Sequence, residues 1–335
     1  MDFPETAPAI GDDSNIHSRK IRFEPAVRNR MGNLANPELI KWLACPVCGG
    51  NLSESVKRIK CTHCGADYEI RGGIPLCYPP GMNFSHLQEE ENLARMMKSN
   101  EPRPIERFNS RQWDRFKQEF WRMVGANVAS PPKSFINIGS GYDVGFVPFE
   151  RQGHAFINFD MVYEMLETLQ RDFGAKSCVG GDVNRLPFKK GCFDYAVCVD
   201  LIHHESNKIL NLLQSFRDLL KPGGTLFLAD PNAWGMFQMA KSILLPKPLH
   251  RILRKTYHQI KRSTHRPADY EFSTNVWHVK GLLQRLGFTD IRVYENGAYP
   301  YIGETRFRIY EFFSRYEFVR KYHNYHYVLS AVRSW

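Results

Sequence analysis

The sequence lacks any apolar run long enough to cross a bilayer. A span needs about 18 uncharged apolar residues, and the longest apolar stretches here are short pieces such as Thr225–Ala229. The first residues, MDFPETAPAIGDDSN, have neither a basic start nor an apolar core, so they do not read as a secretory signal. These absences predict a soluble, cytoplasmic protein, at most peripheral at the inner face of a membrane. The eight cysteines are then expected as thiols or ligands rather than disulfides. G-x-x-x-x-G-K-[ST], H-E-x-x-H and G-x-S-x-G are also missing, which excludes P-loop NTPases, zinc proteases of that type and α/β-hydrolases. There is no internal repeat.

What is present can build a core. The 335 residues are 43% hydrophobic, 24% charged and 13% aromatic, which excludes a disordered or collagen-like chain. Forty-five Lys and Arg against 35 Asp and Glu leave +10, a balance that favours anionic partners. Residues 1–37 have no strand or helix period and read as an arm with a basic cluster, Arg19, Lys20, Arg22, Arg28 and Arg30. Residues 38–80 hold five cysteines and end in turn-rich GGIPLCYPP, and 81–130 form a helical connector with FNSRQWDRFKQEFWRMV as its clearest amphipathic piece. From 131 to 335, strands such as SFINIG, HAFINFD, FDYAVCVD and TLFLAD alternate with helical stretches. That alternation predicts an α/β domain with a doubly wound parallel sheet. Two successive strands near its end, TDIRVYE and YHYVLSAVR, predict an antiparallel pair. Inserts are expected at 236–270 and 296–320.

Cys45-Pro-Val-Cys48 and Cys61-Thr-His-Cys64 are two CxxC pairs. Four thiolates at this spacing suit tetrahedral zinc, and protein fills every position, so the site is structural. The small segment cannot bury enough apolar area to fold alone, which makes metal its main source of stability. His63 is an alternative ligand, and redox-active dithiols are the competing reading. Cys77, Cys178, Cys192 and Cys198 read as small core residues. The stretch LACPVCGGNLSESVKRIKCTHCGADYEIRGGIPLCYPP resembles the small zinc-ribbon proteins that partner and activate tRNA and protein methyltransferases.

Asn137-Ile-Gly139-Ser140-Gly141 follows an apolar strand, and Asp160 ends the next one, where a carboxylate can take both hydroxyls of a ribose. Together with GDVNRLPFKKGCFDYAVCVDLIHHE and LLKPGGTLFLADPN, these motifs resemble the class I S-adenosylmethionine-dependent methyltransferases of small-molecule type over about residues 133–295. The resemblance implies a seven-stranded Rossmann-like fold. It also implies that Gly139, Ser140 and Gly141 pass beneath the methionine part of the cofactor, with Asn137 at its ammonium end. Asp160 then holds the ribose, Met161 flanks the adenine, Asp182 and Val183 bind it, and Asp200 lies at the methionine end. The chain departs from the family at Asn137, usually acidic, and at Asp143, usually a third glycine.

His203 and His204 follow the fourth strand of this domain. They either shape the loop or supply the base that a hydroxyl acceptor needs. His278 reads as a surface or capping residue. The Asp/Asn-Pro-Pro-Tyr motif of base-modifying amino-methyltransferases is absent after the fourth strand, as is a cysteine placed for C5 attack. Lys241–Arg266 carries eight Lys and Arg and no acid at the spacing of an amphipathic helix, suited to an anionic membrane surface or to phosphates. An aromatic insert follows at 296–320. The expected activity is methyl transfer to a small-molecule or glycan acceptor, lipid-linked acceptors included, with O-methylation favoured. The alternatives are an RNA methyltransferase and a non-catalytic scaffold of the same fold.

Overall fold

A computed structural model describes residues 34, 36–82, 104–244, 274–299 and 303–335. The N-terminal basic cluster and residues 245–266 of the basic insert lie outside the described residues, as does Tyr301 of the aromatic insert.

The parallel part of the sheet comprises β5 (Ser134–Ile138), β6 (Ala155–Asp160), β7 (Cys178–Gly181), β8 (Phe193–Val199) and β9 (Leu220–Pro231). β5, β7 and most of β6 are buried along their length, as expected of parallel strands covered on both faces. β10 (Phe288–Tyr294) and β11 (His326–Arg333) close the sheet, with β11 antiparallel to both β9 and β10. Counting these seven strands along the chain, their order across the sheet is 3-2-1-4-5-7-6. The direction of winding reverses between β5 and β8, so the carboxyl ends of those strands diverge into a crevice.

Helix α1 (Pro104–Ala126) buries Phe116, Phe120 and Val124, four residues apart, on one face of the sheet. It shares that face with α2 (Val147–Arg151) and α3 (Tyr163–Phe173). Gly174, in the left-handed region at φ +72°, ends α3. α4 (Ile209–Leu219) covers the other face with Leu212, Leu213 and Phe216, beside α6 (Val276–Arg285) with Val279, Leu282 and Leu283. Between these two in sequence lies α5 (Met236–Leu244). α7 (Glu304–Phe313) and α8 (Glu317–Tyr322) precede the last strand.

The cysteine-rich segment adds four strands, β1 (Leu52–Ser55), β2 (Arg58–Cys61), β3 (Asp67–Arg71) and β4 (Ile74–Cys77), paired antiparallel in succession. β4 then pairs parallel with β7, Leu76 opposite Gly180 and Cys77 opposite Gly181, making one eleven-stranded sheet. Gly180 makes room for β4, and Gly181 for Phe159 on β6. A Cβ on Gly180 would lie 2.7 Å from Leu76, and one on Gly181 would lie 2.9 Å from Phe159. Trp42 stacks on Phe193 at 5.3 Å, adding a second contact between the segment and the α/β domain.

Candidate active site

The loop after β5 turns through Gly139 at φ +71° and Gly141 at φ +50°, conformations that favour glycine. A Cβ on Gly139 would also press on Leu201 at 3.2 Å. The amides of Gly139 and Ser140 both donate to the Phe159 carbonyl, at 2.9 and 3.0 Å. Asp160 fastens the two loops: its Oδ2 accepts from Gly141 N at 2.7 Å and its Oδ1 from Val162 N at 2.9 Å. Asp143, one of the two family departures, is buried and engaged. Its carboxylate accepts from Trp121 Nε1 at 3.1 Å and from Gly145 N at 3.0 Å, joining α1 to the loop. The close-packed glycine is instead Gly145, where a Cβ would stand 1.9 Å from Trp121.

These loops open on a cavity of about 890 Å³ at the carboxyl ends of the parallel strands. Asn137, Gly139, Ser140 and Gly141 line it from β5 and its loop. Asp160, Met161, Asp182, Val183 and Asp200 complete the set, so all nine residues assigned to the cofactor from sequence face one space. Two buried polar atoms there, Asn137 Nδ2 and Ser140 Oγ, have no hydrogen-bond partner among the described residues. Such orphans call for a ligand's polar groups, and the glycine cradle beside them leaves room for one. The residues therefore fit S-adenosylmethionine.

The two histidines part company. His204 lines the cavity. His203 is buried with its Nδ1 2.9 Å from Asp230 Oδ1, and its ring lies 4.1 Å from that of His204. Thr274 donates to the other Asp230 oxygen at 3.2 Å. Burial pushes the Asp230 carboxyl up, against the opposing pull of His203. His278 is exposed, and its backbone amide is capped by Asn275.

Several groups in or directly behind the cavity wall were not identified from sequence. His326, on the last strand, has Nε2 2.7 Å from Asp200 Oδ1 and stacks on Phe116 at 4.4 Å. Asp200 holds a left-handed φ of +53°. Burial would raise its carboxyl, but the neighbouring His326, His203 and Lys117 outweigh that and keep it below the usual carboxylate range. Helix α1 contributes Trp113, Asp114 and Lys117 to the wall. The chain leaving β4 contributes Pro79, Pro80, Gly81 and Met82, while the Tyr78 hydroxyl donates to the Met161 carbonyl at 2.8 Å. No local motif marks these positions. The aromatic insert supplies none of the cavity's lining among the described residues: Tyr299, Phe307 and Tyr310 form a small separate core with Tyr325.

The sulfurs of Cys45, Cys48, Cys61 and Cys64 all lie within 4.8 Å of one another, with Cys45–Cys64 at 3.7 Å and Cys48–Cys61 at 3.6 Å. A tetrahedron of 2.3 Å zinc–sulfur bonds has edges of about 3.8 Å, so the cluster has the dimensions for one ion. Gly50 N and His63 N each point at a sulfur at 3.4 Å, and Tyr68 OH lies 3.0 Å from Cys45 Sγ. The His63 side chain is outside the cluster. Cys77, Cys178 and Cys198 are buried and Cys192 is half-buried.

A family model described as a methyltransferase domain matches residues 136–228, the stretch that carries the glycine loop, Asp160, Asp182 and Asp200. The chain therefore carries a methyltransferase domain across these residues. Similar solved structures include an S-adenosylmethionine-dependent methyltransferase from Archaeoglobus fulgidus (15% identity, TM-score 0.43, covering 65% of this chain and 92% of that one). Magnesium protoporphyrin IX methyltransferase from Synechocystis is similar at 16% identity and TM-score 0.47, covering 75% and 96%. Phosphoethanolamine N-methyltransferase 2 from Haemonchus contortus is similar at 16% and 0.43, covering 65% of this chain and 53% of that one. Comparison with curated protein sequences finds no match.

Proposed function

We propose that the protein methylates a hydroxyl of a small-molecule or glycan acceptor, with His204 as the base. The observation that carries this reading is the shared cavity, in which His204 stands beside the nine cofactor-type residues, Asp200 among them. The cofactor supplies an electrophilic methyl on a positively charged sulfur. Asp160 takes the ribose hydroxyls, Met161, Asp182 and Val183 enclose the adenine, and Gly139 to Gly141 with Asn137 receive the methionine part. Asp200 carries its negative charge at that same end. Charge disappears as the methyl moves, so the protein's main tasks are alignment and exclusion of water. His204 then takes the proton that the acceptor oxygen releases. His203, braced by Asp230, is a positioning residue that holds the neighbouring ring. Cys45, Cys48, Cys61 and Cys64 hold one structural zinc with no open position for chemistry. The acceptor is met in the cytoplasm or at the inner membrane face, where the basic insert favours an anionic surface.

The reading is tested with S-adenosylmethionine and cell extract, followed by mass spectrometry. A gain of one methyl on a glycan or small molecule is expected, and methyl on RNA alone overturns it. With the acceptor in hand, His204→Gln should lower kcat about 100-fold. The affinity for S-adenosylhomocysteine should stay unchanged.

A further inference from the structure

Helix α7 is apolar on two sides. Phe307 and Tyr310 face inward, yet Ile309, Phe312 and Phe313, at i, i+3 and i+4 on the helix, and Tyr316 in the turn after it are all 41% or more exposed. Beyond them, Trp234, Met239, Trp277 and Phe318 line an open apolar groove of about 540 Å³ with His323. Eight of the twelve large apolar side chains exposed among the described residues belong to these two neighbouring features. A soluble surface does not keep so many aromatics in one region without a partner.

The geometry points to this face as a docking surface for an anionic lipid bilayer, with the α7 stripe and the two tryptophans entering the headgroup layer. Tryptophan, tyrosine and arginine are side chains that combine an apolar body with a polar end, as the interface requires. Arg306, Arg308 and Arg315 are exposed along the stripe, and the Arg315 guanidinium lies 3.9 Å from the Phe312 ring centre. From Glu304 to Tyr322, the two helices and the turn between them, five Lys and Arg stand against three Glu. The sequence joining α5 to α6, the elements that carry Met239 and Trp277, holds seven Lys and Arg against two acids, Asp269 and Glu271. Charge and apolar area therefore favour the same occupant, since anionic lipid attracts the first and its acyl boundary accepts the second. The inference deepens the proposed function, on which it rests, by assigning the acceptor to a membrane surface.

The test uses the full chain and vesicles of phosphatidylcholine with or without phosphatidylglycerol. Flotation with the anionic vesicles is expected, together with quenching of tryptophan emission by brominated acyl chains. The double variant Phe312→Ser, Phe313→Ser should bind about tenfold or more weakly, with unchanged melting temperature and S-adenosylhomocysteine affinity. Three outcomes overturn the inference. They are no flotation of the native protein, equal binding by the double variant with salt alone stripping both, and a dimer in vesicle-free sedimentation that the variant abolishes. Loss of S-adenosylhomocysteine binding by the native protein would instead sink the methyl-transfer reading and leave the vesicle result standing.

Discussion

The two ends of the parallel strands are both polar, but their polar groups are used differently. At the amino ends, Asp194 is saturated: it accepts from Ser134 N at 2.9 Å, Ser134 Oγ at 2.6 Å and Lys221 Nζ at 2.9 Å. At the carboxyl ends, Asn137 Nδ2 and Ser140 Oγ have no partner among the described residues, and Gly139, Gly141 and Asp200 hold left-handed backbone. One end is finished by folding. The other is finished by a ligand, and that separation lets binding be disrupted without unfolding the sheet.

The largest expected effect comes from the four-cysteine cluster proposed to hold zinc, because the chain leaving β4 walls the cavity and Tyr78 holds the Met161 carbonyl. Structural zinc contributes on the order of 10 kcal/mol to such a segment. Chelation should unfold the segment and abolish S-adenosylhomocysteine binding by calorimetry, while circular dichroism retains the α/β signal. Unchanged affinity in zinc-free protein would show that the wall is dispensable. Next, Asp160→Ala should weaken S-adenosylhomocysteine about 100-fold, since it removes the carboxylate proposed to accept from two ribose hydroxyls.

At the opposite end the readout reverses. Asp194→Ala should cost about 3 kcal/mol of stability in urea titration and leave cofactor affinity alone. Burial would raise the Asp194 carboxyl, but Ser134 and Lys221 pull it below its ordinary value. Its contribution is therefore present above pH 4 and is lost as pH falls through the lowered folded pKa, so the variant should have a flatter acid limb. The smallest effect is a gain. Glu150 is buried, accepts from Lys176 N at 3.3 Å, and is pushed up by burial to about 7. Between its unfolded value and about 7 the unfolded state binds fewer protons, so stability falls as pH rises. Glu150→Gln keeps the acceptor and should add about 2 kcal/mol at pH 8 and nothing at pH 4, read as melting temperatures at the two values.

The strands with continuous apolar runs, such as Phe193–Val199, were legible because burial on both faces writes itself into composition. Cys178-Val-Gly-Gly181 was not, because glycine weakens a strand signal and its presence there answers to Leu76 and Phe159, far away in the chain. The cofactor-type residues could be read because each follows a strand whose carboxyl end the fold must bring to one edge. His326 could not: 126 residues separate it from Asp200, and nothing local distinguishes it from a core histidine.

By itself, the sequence determined the alternating α/β architecture, the four-thiol cluster and the glycine loop with its carboxylates, because these depend on periodicity and short spacing. Only the tertiary structure decided that the ribbon continues the sheet and walls the cavity, that His204 faces the site while His203 turns to Asp230, and that half of the aromatic insert points outward. Those outcomes depend on contacts between distant segments, and which of several similar side chains is buried is set by packing, which spacing along the chain does not encode.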